Sequence, residues 1–286
     1  MSATQAVSRG ISHPSARHGA LRLAFELRGG RTVLTEQYGH APLRVMRPIG
    51  HPSGAALVYL LSPTGGVLQG DRYEVSIRVG AGARALFTTQ AATKVYGMDG
   101  EGASQAIRIH VESDGLLEYL PDPIILYADS DFRQEVDITL DAGARMIYQE
   151  IVMPGRIARG ERLAFRRFSA RLTARDAEGV LLHENAVLSR GDGLDALGGL
   201  DGFTCWGSWY GLGLGPMDDG LWGLCAERMP AGDSSAVGGM TRLARRGIAA
   251  RMLAHTSGEI ERTFARTARD VYESALGIEP IELRKY

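Results

Sequence analysis

Apolar and polar residues alternate with a period of two in three separate segments of this chain. In Arg72–Val79 the apolar set Tyr73, Val75, Ile77 and Val79 is interleaved with Arg72, Glu74, Ser76 and Arg78. Residues 105–111 set Ile107, Ile109 and Val111 against Arg108 and His110, and residues 135–140 set Val136, Ile138 and Leu140 against Glu135, Asp137 and Thr139. Successive side chains of a strand point to opposite faces, so each segment predicts a strand with one buried and one solvated face. A glycine turn and a second apolar run follow each strand: Gly82 leads into 83–87, Gly115 into 116–120 and Gly143 into 144–148. A weaker fourth copy is 170–174 followed by Gly179 and 180–184. These glycines stand 33, 28 and 36 residues apart, an irregular repeat that favours strand pairs stacked on one another. The plainer alternative is an ordinary sandwich of glycine-centred hairpins. A doubly wound α/β sheet would need helices between the strands, and the pattern holds none there.

Toward the C-terminus the pattern changes. Residues 191–215 are rich in Gly and aromatic side chains, and 218–233 read as loop and edge strand. From Met240 onward the spacing is read as helical. Thr256 and Glu259 have capping-box spacing, and Ile260, Phe264, Thr267, Ala268, Val271 and Tyr272 follow at intervals of three and four. Two helices are expected, over 240–254 and 258–275, packed on the β body. The expected fold is mainly β, one domain over 19–286, after a small, polar, flexible lead-in over 1–18.

Composition narrows the function classes. Among 286 residues, 32 Lys plus Arg offset 33 Asp plus Glu, a net charge of −1 that does not suit nucleic acid or an anionic membrane as partner. There are 37 Gly, about 13% against a usual ~7%, which favours short strands and tight turns. Two cysteines, Cys205 and Cys225, make neither a disulfide framework nor a four-ligand zinc site, and no apolar run approaches the ~18 residues of a membrane span. A cytoplasmic protein is expected.

Candidate chemistry is scattered. The string from Gly65 through Gly66 and Gly70 to Asp71 has the glycines of a phosphate-cradling loop, but it lacks the Lys-Ser/Thr ending and runs into a strand. A structural turn with Asp71 as a buried, hydrogen-bonded carboxylate is the competing reading. Thr88, Thr89, Gln90, Thr93 and Lys94 place polar groups where a core strand should continue, and Lys94 is a candidate partner for Asp71. Counted from the turn glycines, Thr89, Asp122 and Glu150 each fall at the seventh following position, so stacked repeats would align them in one polar stripe. Buried acids in a row are costly unless solvated, paired or visited by a cation, so such a stripe would be a site or a passage. The seven histidines lack the spacing that pairs two imidazoles on a helix face, so a permanent metal centre is not indicated. Asp71, Glu118, Asp122, Glu150 and Glu161 supply enough acids for a carbohydrate-active β-helix with paired carboxylates such as Glu118 and Glu150. Arg162, Arg166, Arg167, Arg171 and Arg175 form a basic run, either a solvated strand face or a partner surface. Phe203, Trp206, Trp209 and Tyr210 are either a docking patch or a covered corner of the core.

The order of motifs then resembles one family. Pro42 to Arg44 comes first, followed by Gly65, Gly66, Gly70, Asp71 and Arg72, then Thr88 to Gln90 with Lys94 and Tyr96. Leu117, Glu118, Pro121, Asp122 and Pro123 follow, and Gly155, Arg156, Gly160 and Glu161 close the series. Together they resemble, over roughly residues 20 to 190, the urease accessory proteins UreD, also called UreH. The resemblance implies a non-catalytic scaffold that acts with UreF and the GTPase UreG on the urease apoprotein and helps deliver Ni²⁺. It implies no tightly bound cofactor, only Ni²⁺ in transit, and an irregular right-handed β-helix with two C-terminal helices. It also implies a water-filled route for nickel, with Asp71, Thr88, Thr89, Lys94, Glu118, Glu150 and Glu161 at the matching polar positions. Asp122 joins them from the stripe. Arg156, Arg166, Arg167, Phe203, Trp206, Trp209 and Tyr210 are the partner-interface candidates. The segment from Cys205 to Trp209 and the ending Glu282 to Tyr286 depart from the family pattern.

Overall fold

A computed structural model describes residues 17–62, 64–215, 218–232 and 235–283 of the chain. The expected lead-in lies outside the described residues up to residue 16, and His18 already opens the first strand. That strand, β1 (His18–Arg28), forms a hairpin with β2 (Arg31–His40). Two short strands, β3 (Arg44–Val45) and β4 (Ile49–Gly50), then pair antiparallel with β5 (Ala56–Leu61).

Three coils follow in one order. The first is β6 (Arg72–Val79), β7 (Arg84–Thr89) and β8 (Thr93–Val95). The second is β9 (Ala103–Val111), β10 (Leu116–Tyr119) and β11 (Ile124–Leu126). The third is β12 (Asp131–Leu140) and β13 (Arg145–Met153), closed by a short 3-10 turn at Ile157–Arg159. Equivalent strands of successive coils pair in parallel: β1, β6, β9, β12 and β14 (Arg167–Asp176) in one sheet, and β5, β7, β10 and β13 in the other. The fold is therefore a solenoid-like β stack, as the glycine-punctuated repeat predicts. Its end is antiparallel: β15 (Gly179–Ser189) folds back on β14, and β16 (Cys205–Leu212) pairs with β13.

The turn that starts each second strand is a left-handed residue. Gly82 and Gly143 hold φ of 64° and 70°, but in the middle coil Asp114, not Gly115, takes that place with φ 58°. Ladder register agrees, because Leu116 lies opposite both Arg84 and Arg145. The sequence register counted from Gly115 is thus one residue out.

Inward side chains of both sheets make the main core, from Leu21 and Phe25 through Ile77, Ile109 and Ile138 to Phe168, faced by Phe87, Leu117, Tyr119 and Tyr148. Phe87, Tyr119 and Tyr148 form a ladder of stacked rings, with centroids 5.2 and 5.5 Å apart.

Two C-terminal helices cover the outer face of the second sheet. The first, α1 (Asp219–Glu227), occupies a region expected as loop and edge strand, and the Asp218 carboxylate caps it by accepting from the Leu221 amide at 2.7 Å. The expected helix over 240–254 is instead a strand pair, β17 (Ala236–Arg242) and β18 (Gly247–Ala254). In β18 one face, Ile248, Ala250, Met252 and Ala254, is buried under the helices, while the other carries the apolar Ala249 and Leu253 on either side of exposed Arg251. No period-two pattern survives there, and its Ala, Met and Leu content reads as helix until the sheet overrides propensity. The second helix, α2 (Ser257–Val271), starts near the expected place and continues as a π-helical turn over Tyr272–Leu276. Thr256 is its N-cap residue, but its side chain makes no cap hydrogen bond. Ile260, Phe264, Ala268 and Val271 pack on Ile147, Ile151 and Trp209.

Candidate functional site: two cavities sharing Glu150

Alternation along β13 divides its side chains between two surroundings. Met146, Tyr148 and Val152 enter the core between the sheets, while Ile147 and Ile151 lie under the helices. Glu150 shares the inter-sheet side with Tyr148 and opens onto cavities. A smaller cavity of about 160 Å³ is lined by Thr89, Thr93, Lys94, Gln105, Asp122 and Glu150. A larger one of about 580 Å³ lies toward the C-terminal end, lined by Glu150 with Phe168, Glu184, Trp206, Ser208 and Arg251. Gln134, Tyr148 and Glu150 line both. The Gln134 side-chain amide donates to the Glu150 carboxylate, and the Tyr148 hydroxyl donates to it at 3.4 Å. Burial raises the Glu150 carboxyl to about 7, against the pull of those two donors. Near neutral pH this group exchanges between acid and carboxylate.

The predicted trio does gather at one cavity, although not by simple stacking. With the middle coil counted from Asp114, the residue level with Thr89 and Glu150 is Pro121. The β10 strand ends at Tyr119, and the chain then turns so that Asp122 comes back to Thr89. The Thr89 hydroxyl donates to the Asp122 carboxylate at 2.9 Å and accepts from the Asp122 amide at 2.8 Å.

Other candidates stand elsewhere. Asp71 is 2% exposed, and its carboxylate accepts from the Tyr73 hydroxyl at 2.6 Å and from the amides of Leu68 and Arg17 at 2.9 and 3.2 Å. It is the structural carboxylate of the glycine turn, and it fixes Tyr73, which does line the smaller cavity. Lys94 is exposed at the rim of that cavity and is not the partner of Asp71. Thr88 points away from Thr89, and its hydroxyl donates to the Leu120 carbonyl at 2.5 Å.

Glu118 lies on the outer face of its sheet, because Leu117 and Tyr119 on either side of it take the core positions. There it is ion-paired with Arg84 at 3.1 Å, close to Tyr272 of the π turn. Burial pushes its carboxyl above the usual range, opposed chiefly by Arg84. Glu118 therefore takes no part in the cavities, and Glu118 and Glu150 cannot face one sugar from opposite sides of a β-sheet.

Glu161 accepts from the Ala128 amide at 3.0 Å and pairs with Arg156, whose guanidinium stacks 4.4 Å from the Tyr127 ring. The Arg156 partner holds the Glu161 carboxyl below its ordinary value. This last family motif is a clamp on the corner between coils. Arg166 is likewise spent inside the chain, on Asp131 at 3.2 Å and on the carbonyls of Met98 and Gly100 at 3.1 and 2.7 Å. Arg167 is exposed at the start of β14.

Of the aromatic group, Trp209 is fully buried under the helices and Tyr210 is buried between the sheets. Both belong to the core and present nothing to a partner in this structure. Phe203 and Trp206 are half-buried, and Trp206 lines the larger cavity.

Sequence reasoning missed Gln105, Gln134, Tyr148, Glu184, Ser208 and Arg251. Gln105 and Gln134 stand at inward positions of β9 and β12 where the apolar alternation predicts Val or Ile, and those two breaks were the readable signal. Among the described residues no group of three His, Cys, Asp or Glu is arranged to hold a metal ion. Both cysteines are free and buried, and burial raises their thiols to about 12 and 11. No helix among the described residues is long and apolar enough to cross a membrane.

Fold and site together define a class: a β-solenoid whose hydrogen-bonded polar groups line internal space between its sheets. Comparison with known proteins gives the family. The model for the UreD urease accessory protein matches residues 17–285, and the chain belongs to that family. It is 38% identical over 213 residues to a urease accessory protein UreD of Haloarcula marismortui, covering 73% of this chain and 71% of that protein. The UreD of Cenarchaeum symbiosum is 36% identical over 247 residues, covering 83% and 86%. That of Deinococcus radiodurans is 32% identical over 271 residues, covering 94% and 95%. Its role is in urease maturation, as an accessory protein.

Proposed function

We propose that this chain is the cytoplasmic scaffold of a nickel-delivery assembly. It binds UreF-like and UreG-like partners and the urease apoprotein, and it passes Ni²⁺ along the acid-lined cavities between its sheets without chemistry of its own. The observation that carries this reading is the sharing of Glu150, Gln134 and Tyr148 by two cavities, one with Asp122 and Thr89, the other with Glu184 and Ser208. Carboxylate, amide and hydroxyl oxygens suit transit, because they hold Ni²⁺ less tightly than imidazole or thiolate and let it exchange. A Glu150 carboxyl poised near 7 ionises readily when a cation approaches and takes up a proton when it leaves.

Membership in the assembly is tested by deleting the gene from a urease-positive cell and co-purifying the restored, tagged protein. Nickel-poor, inactive urease in the deletion strain, with urease and accessory proteins retained on the tag, is expected. Normal activation without the gene would remove the assignment.

A further inference from the structure

The larger cavity opens between the two sheets, where the stack ends. On one lip is β15, the last strand of the first sheet, and on the other are β16 and β18 of the second. Register places Glu150 opposite Ser208, and Ser208 opposite Arg251, so these three form one row across the second sheet on the side that lines the cavity. The edge strand β17 continues the row only with Gly239, so Arg251 is its last side chain at the lip. There the Arg251 guanidinium crosses to the other sheet and pairs with the Glu184 carboxylate of β15. Glu184 stands opposite Leu172, so it shares the inter-sheet side of the first sheet with that core residue. Arg171, also at the lip, is engaged with Glu135 at 3.0 Å.

We propose that Arg251 is a cation lock on this mouth. It neutralises Glu184, the outermost acid of the cavity, and sets a guanidinium beside that acid at the mouth. The purpose of the lock rests on the passage reading given above, while its physical action does not. In the free chain the lock disfavours the entry of cations from solution at this mouth. A docked protein that offers Arg251 another carboxylate would release Glu184 to face the ion. An exposed pair of this kind contributes little to stability, so it can be exchanged at small cost.

Trp206 lines the same cavity and reports on access to it. In the full chain carrying Trp222→Phe, Trp209 is silent to quenchers because it is fully buried. Fluorescence quenching by caesium ion and by neutral acrylamide is then compared at low ionic strength, where exposed charges are least screened. Arg251→Gln is expected to raise the caesium-to-acrylamide ratio of quenching constants roughly twofold or more, the scale for one charge several ångströms away in water. Adding Glu184→Gln to it should return the ratio to the starting value. Glu184→Gln alone, which leaves the guanidinium unpaired, should lower it. An unchanged ratio in Arg251→Gln, a rise that persists in the double variant, or no fall in Glu184→Gln overturns the lock. No nickel or partner takes part, so a failed lock leaves the passage reading standing. A failed passage would show only in the delivery of nickel, with quenching unaltered.

Discussion

Glu150 carries the most testable chemistry at the scale of one residue. Its folded value near 7 lies above the ordinary 4.5, so the folded chain binds the proton more tightly than the unfolded chain between those limits. The associated stability is full below about 4.5 and is lost as pH rises through 7. Denaturant titrations at pH 5 and 8 should therefore differ by about 2.5 kcal/mol from this group, most of the roughly 3.5 kcal/mol that a shift of 2.5 pKa units carries at about 1.4 kcal/mol each. Glu150→Gln should flatten that dependence, and an equally steep dependence in the variant would show that other groups cause it. Glu118 gives the contrast. Because it sits on the far face of the sheet with Arg84, Glu118→Gln should change thermal stability while leaving nickel delivery intact. Legibility at this scale followed local geometry. That Thr89, Asp122 and Glu150 belong together was readable from turn spacing, but the reason was not, because Asp114 replaces glycine at the left-handed position and a chain reversal restores Asp122 to Thr89. Glu118 and Glu150 carry the same functional group, and only the parity of their strands separates them.

Among elements, α2 and its seat on β16 test how the C-terminal half is held. Gly207 lets the helix approach closely: a Cβ there would lie 2.5 Å from Ile260 Cγ2 and 2.9 Å from the Phe264 ring. Gly207→Ala should cost about 1–3 kcal/mol through overpacking, and Phe264→Ala about 3–5 kcal/mol through the cavity it leaves. Chemical denaturation measures both, and a neutral Gly207→Ala would mean that the helix is not seated as described. The helix itself was visible in sequence because one face is solvated, which gives a stripe at three and four spacing. The strand β18 was not, because both of its faces carry apolar residues, which erases the period-two pattern, and its Ala, Arg and Met residues favour helix; in the edge strand β17, Gly238 and Gly239 interrupt the alternation. The short helix α1 was hidden by Gly220 and Gly223, despite the Asp218 cap.

For the whole molecule, the half-buried strands of the first sheet made the solenoid legible, since each coil exposes one face to water. The two cavities were legible only in part, because a cavity arises from side chains of strands far apart in sequence. The central claim is that nickel moves between those cavities past Asp122 and Glu150. Its direct test is the nickel content of urease purified from cells whose only copy of this protein carries Asp122→Asn and Glu150→Gln, with co-purification of the accessory proteins and urease measured alongside. Retained complexes with urease depleted of nickel at least severalfold is the predicted result. Retained complexes with fully loaded urease would contradict it.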